Sequence, residues 1–136
     1  MIKVQLEDFH VDELIEKIRT RDSGCIVTFI GTVRDYSGSK NVSKMSLEVY
    51  EEMALNELEK ISEEAKELFA LNCVNIVHRH GELSVGENIV FIGVSAGHRD
   101  QGFEGCRFII DELKKRVPIW KKEYTPEGEF WVEGEY

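Results

Sequence analysis

Apolar and polar positions fall into blocks along this chain, and the change of period between blocks predicts its elements. Val11, Leu14, Ile15 and Ile18 recur at helical spacing, so residues 11–19 predict a short amphipathic helix. Residues 25–33, Cys-Ile-Val-Thr-Phe-Ile-Gly-Thr-Val, are β-branched and almost continuously apolar, as a buried strand would be. The stretch 35–41 carries Ser37-Gly38-Ser39-Lys40 and predicts an exposed, mobile loop. Met45, Leu47 and Val49 then alternate with Ser46, Glu48 and Tyr50, a strand pattern.

The longest helix is predicted over 51–69, with a stripe at Leu58, Ile61, Ala65 and Leu68. Strands follow at 74–80 and 88–95, and the connector 81–86 has a glycine at each end, as a hairpin loop would. A second long helix is predicted over 100–116, stopped by Pro118, with short strands at 120–124 and 129–132. No regular βαβ rhythm links these pieces. The expected fold is α+β: a largely antiparallel sheet packed by two main helices, with a small extra C-terminal strand region.

Composition bounds the function. A chain of 136 residues reads as one domain, 1–136, with enough length for a real core. Cys25, Cys73 and Cys106 are odd in number and widely spaced, so no C-x-x-C pair offers zinc binding or disulfide exchange. Residues 1–10 lack the apolar run of a signal peptide, and no stretch approaches a membrane span. A reduced cytoplasmic protein is the expectation. The net charge of −9 argues against nucleic-acid or anionic-membrane binding.

One segment breaks that acidic balance. Residues 98–122 hold seven Lys/Arg against four acids, a net of +3, which leaves −12 for the rest. A local basic concentration inside an acidic protein suggests a pocket for something small and negative. Phe103, Cys106, Ile110, Leu113 and Val117 are spaced 3, 4, 3, 4 and predict one buried helix face. Lys114 then falls at the edge of that face with Arg107 on the same flank, while Lys115 points to solvent. A partly desolvated Lys114 beside other cations would have a lowered pKa and could serve as nucleophile or base. On helix geometry alone, a lysine covering apolar surface is the better account. Asp100 is the expected N-cap, which places His98 and Arg99 at a helix N-terminus suited to an anion, beside Gly97. Arg34 follows a buried strand and opens the polar loop, either at a site rim or merely solvated. His78 and His80 share a strand face, but no third ligand stands at a metal spacing, so no metal is expected.

Taken together, the segments resemble the large, catalytic subunit of molybdopterin synthase. The matching pieces are residues 27–34, 47–50, 77–83 and 86–94, then Ala96-Gly97-His98-Arg99, Leu113-Lys114 and Pro118-Ile119-Trp120-Lys121-Lys122-Glu123. The resemblance implies an α/β hammerhead fold and a sulfurtransferase that converts cyclic pyranopterin monophosphate into molybdopterin. The sulfur would arrive as a C-terminal Gly-Gly thiocarboxylate on a small ubiquitin-like subunit, so neither an enzyme thiol nor a cofactor is needed. It also implies a homodimer within a heterotetramer. Carried over by position, Lys114 and Lys121 are the catalytic lysines, and both also bind substrate together with Arg34, His98 and Arg99. The chain departs from the family at Ala96-Gly97, where Ser-Ala is common, and at Tyr136, where many relatives run on. A non-catalytic module that binds a phosphorylated pterin or a small protein partner is the alternative. An RNA-binding domain is disfavoured by the acidic remainder.

Overall fold

The computed structural model describes residues 1–132. In chain order the elements are β1 (Ile2–Gln5), α1 (Val11–Glu16), β2 (Cys25–Thr32), β3 (Tyr36–Ser37), β4 (Lys40–Asn41), β5 (Lys44–Val49), α2 (Glu51–Phe69), β6 (Leu71–Arg79), β7 (Gly81–Ser84), β8 (Asn88–Ala96), α3 (Arg99–Arg116), β9 (Ile119–Thr125) and β10 (Gly128–Val132). They build two four-stranded sheets, in the orders β1-β6-β8-β2 and β10-β9-β5-β7, and a small β3–β4 ribbon. The α+β expectation holds, and among the described residues every strand pair is antiparallel except β1 beside β6. Ile76, Ile92, Val94, Leu58, Ile61 and Ile109 form one apolar cluster that joins the first sheet to α2 and α3, and Met45, Leu47 and Leu83 continue it into the second sheet. A smaller cluster of Phe9, Leu14, Val77 and Phe91 lies under α1 on the opposite face.

Several elements differ from the sequence pattern, each for a physical reason. Strand β1 is too short to show a period and owes its place to parallel pairing of Ile2–Gln5 with Ile76–Arg79. Helix α1 stops at Glu16 instead of Arg19, although Ile18 stays buried. The connector 81–86 is not a simple hairpin loop. Gly81 and Gly86 do turn the chain, with φ of 94° and 89°, but β7 lies between them and pairs with β5 in the other sheet. The expected loop at 35–41 contains the β3–β4 ribbon. Ala70 closes α2 in the left-handed conformation, φ 52°.

Helix α3 is turned from its expected face. Cys106, Leu113 and Val117 are buried as expected, but Gly102, Gly105 and Ile109 complete the buried face and Phe103 is 62% exposed. The glycines let the helix settle close to the sheet: a Cβ on Gly105 would lie 2.8 Å from Leu71, and one on Gly102 2.9 Å from the Cys25 sulfur. A count of apolar side chains does not register that seam. On α2, Leu68 is exposed, and Ala54 and Ser62 are buried instead.

The turn from β8 into α3 depends on Gly24. Its N–H donates to the Ala96 carbonyl at 2.8 Å, and a Cβ there would collide with the Gly97 carbonyl oxygen. Both sides of this contact are backbone, so relief requires moving a strand end. Gly24→Ala is expected to cost about 1–3 kcal/mol in denaturant unfolding. Unchanged stability would show that this turn yields freely.

Candidate active site

A cavity of about 460 Å³ opens where the two sheets diverge, lined by Thr32, Arg34, Ser37, Gly38, Met45, Ile89, Lys114, Lys121, Glu123 and Val132. This is the size of a small-molecule site. Among the described residues its lining has three cationic side chains and one carboxylate, a net of +2 in a chain whose net charge is −9.

Each cation reaches the cavity from a different element. Arg34 follows β2, whose end is tied down by Val33: its N–H donates to the Glu87 carbonyl at 3.0 Å, and its carbonyl accepts from the Gly86 N–H at 2.8 Å. The Arg34 guanidinium lies over the Tyr36 ring at 5.0 Å. Lys114 comes from the last turn of α3. Lys121 sits on β9 between Leu47 of β5 and Val132 of β10, facing inward and only 4% exposed. Two residues on, Glu123 faces the same way and is also buried. A bulge completes the floor: Gly31 pairs with Val90 and Thr32 with Asn88, so the extra residue Ile89 turns into the cavity.

The rest of the basic stretch is spent elsewhere. Arg116 bonds Glu57, Glu64 and Glu112 and clamps α3 to α2; its Glu64 contact, first among these, holds its pKa above the ordinary arginine value. Lys115 is exposed beside Glu112. Lys122 faces outward, 3.3 Å from Glu129 and over the Trp131 ring. Arg107 lies on the outer flank of α3, in a separate groove with Phe103 and Ile110. Lys114 is exposed at the cavity rim, so the partly desolvated alternative does not hold for it, and the buried lysine is Lys121.

The other two sequence-derived residues are not in this cavity. His98 is the N-cap of α3, the position expected for Asp100, and makes no side-chain cap; both His98 and Arg99 are exposed. Fifteen residues of helix, roughly 22 Å at 1.5 Å per residue, separate Arg99 from Lys114. Strand β8 says the same: it leaves the cavity at Ile89 and delivers the chain to Gly97 at the far end of the sheet.

Residues 4–116 match the family model described as MoaE protein. The chain belongs to the MoaE family. A molybdopterin synthase catalytic subunit from Pyrococcus abyssi is 49% identical over 129 residues, covering 95% of this chain and 87% of that one. The crystal structure of molybdopterin synthase from Staphylococcus aureus is similar with a TM-score of 0.90 at 30% identity, over 97% of this chain and 96% of that one. At 21% identity and a TM-score of 0.79, the fold recurs over 98% of this chain and 91% of the matched one in a structure from Helicobacter pylori, a complex of subunits 1 and 2 of molybdopterin-converting factor. Among the described residues, no helix is long and apolar enough to cross a membrane.

Sequence reasoning missed three features of this MoaE-family cavity. Glu123 follows Lys121 at strand spacing, so Lys-x-Glu on β9 was a readable sign that a carboxylate shares the wall. Ile89 depends on the bulge and Met45 on sheet pairing, neither of which leaves a mark in composition. The histidines part company: His80 has left the strand and lies 3.1 Å from Glu51, whereas His78 is fully buried. Burial holds the His78 pKa down at about 4, against 6.5 for a free imidazole, and the charge of Lys121 also lowers it.

That depression has a sign. Between pH 6.5 and about 4 the unfolded chain takes up a proton at His78 and the folded chain does not, so stability is lost as pH falls through this window. His78→Gln is expected to make the stability difference between pH 7 and pH 4.5 smaller by about 2–3 kcal/mol, read by urea unfolding at both values. An unchanged pH dependence would mean the ring protonates in the folded state as it does in water.

Proposed function

We propose that this chain is the catalytic subunit of a molybdopterin synthase, a sulfurtransferase acting on cyclic pyranopterin monophosphate with a thiocarboxylated small ubiquitin-like subunit. The observation that carries the reading is the convergence of Arg34, Lys114 and Lys121 on one cavity from three separate elements. In this reading the thiocarboxylate sulfur attacks a carbon of the pterin side chain and the carbon–oxygen bond there breaks, the oxygen leaving on the opened phosphate at one carbon and as water at the other. Water then takes the acyl carbon, releasing the partner's tail as a carboxylate and leaving sulfur on the substrate; a second partner molecule repeats the step. Each transfer gathers negative charge on oxygen. Lys121, the desolvated cation, stabilises that charge best, because water does not screen it. Arg34 and Lys114, at the rim, hold the phosphate and guide the tail. None of the three cysteines is required, and Cys106 suits none of these steps: burial raises its thiol to about 11.

His98 and Arg99 enter this reading through a second copy of the chain. They lie at one end of α3 and the cavity at the other, and the outer strand β2 runs the same length beside them. Midway along both is a groove of about 560 Å³ lined by Val27, Phe29, Phe103, Arg107, Ile110 and Asp111, with Phe103 largely exposed. A twofold axis through this groove would set Arg107 near Asp111 of the partner and carry each copy's His98 and Arg99 to the other's cavity. The homodimer is thus a working part of the site.

Single-turnover conversion of cyclic pyranopterin monophosphate by the purified chain and thiocarboxylated partner tests the chemistry. Lys121→Ala is expected to lower the rate by about 100-fold or more and Lys114→Ala by at least about tenfold, both folded. Binding of the pterin without product from the wild type would sink the enzyme reading.

Subunit mixing tests the dimer. His98→Ala and Lys114→Ala chains, each impaired alone, are expected to regain about a quarter of wild-type activity after exchange, since half the dimers are hybrids with one intact site. No recovery in verified hybrids would place both residues in the same copy's site.

A further inference from the structure

We propose that His78 is a positioning residue for Lys121: a neutral imidazole, locked in one tautomer inside the core, presents an acceptor nitrogen to the Lys121 ammonium from beneath the cavity. The proposal rests on the reading of Lys121 as a working residue of the sulfur-transfer site.

Three structural facts support it. First, the tautomer is set: Nδ1 lies 2.8 Å from the Arg79 carbonyl oxygen, which can only accept, so Nδ1 carries the proton and Nε2 is an acceptor. Second, the ring is fully buried, on the strand position opposite Val90, next to the cavity-floor residue Ile89. Third, the backbone brings ring and lysine together where the sheets join. Three residues after His78 the chain reaches Gly81, which pairs with Leu47, and Leu47 pairs with Lys121 on its other side.

The charges acting on the ring agree with this placement. They come from Lys121 and His80, while the Arg79 side chain turns away to the carbonyls of Leu6 and Asn88 and to Glu87. A carboxylate in the place of His78 would pair with Lys121 and cancel charge that an anionic substrate needs. A neutral acceptor fixes the direction of the ammonium and leaves the charge in place. Burial keeps the ring neutral throughout the range in which the enzyme would work.

Two measurements on the full chain test this. In long-range proton–nitrogen NMR spectra, the His78 ring is expected to remain the Nδ1–H tautomer from pH 5 to 8. Its Nε2 resonance should move by several ppm in Lys121→Met, while those of His10, His80 and His98 stay put. An unmoved Nε2 overturns the proposal whatever the activity is, and this arm needs no His78 variant to fold. In turnover with the thiocarboxylated partner, His78→Leu is expected to lose about tenfold or more in kcat with KM within about twofold, and His78→Gln, which keeps a neutral acceptor, to recover to within about threefold of wild type. Equal loss in both folded variants would make His78 a packing residue only. A wild type without turnover would sink the sulfur-transfer reading, and the Nε2 shift would still judge the contact.

Discussion

Holding an ammonium nearly out of water is costly, and much of this structure is arranged around that one group. Lys121 points into the space between two sheets, where an apolar side chain would otherwise continue the core formed by Met45, Leu47 and Leu83. It stands opposite Leu47 across the β5–β9 pair. Its charge shares a wall with buried Glu123 and acts on buried His78. The two sheets separate at this corner, and the bulge at Ile89 shapes the floor. The cavity is the consequence of a charged residue in a core position that the surrounding strands do not close over.

The acidic surroundings give the site its character. A cluster of cations in a sequence of net −9 could be merely a solvated face, and most of this one is consumed structurally. Arg116 joins the two long helices through Glu57 and Glu64, and Lys115 and Lys122 pair with Glu112 and Glu129. Among the described residues the cavity keeps two lysines and an arginine against one glutamate. The result is a small positive enclosure on a negative molecule, which favours a compact anion and repels a polyanion.

The length of α3 imposes a second constraint. Its glycine seam lets it lie close along the sheet for the full span of β2, so its two ends cannot serve one cavity in the same copy. In the proposed dimer a second copy meets that constraint by symmetry. The groove lined by Phe103, Arg107, Ile110 and Asp111 lies between the two ends of the helix.

The longer helices and strands were legible along the chain, because period and β-branching record which face of each segment meets the core. The sequence by itself also determined the candidate residues, since the ordered motifs from Val27 to Glu123 carried the family resemblance, and Arg34, Lys114 and Lys121 do meet in one cavity. Partition into two sheets was illegible: pairing of β7 with β5, and of the short β1 with β6, is a choice among distant partners that no local pattern encodes. The facing of α3 was misread because glycines, which have no hydrophobic side chain, hold its closest contacts. For the same reason the desolvated lysine weighed at Lys114 is found at Lys121. Burial belongs to the packed assembly of elements and not to the spacing within one of them, so only the tertiary structure could decide which charge left water.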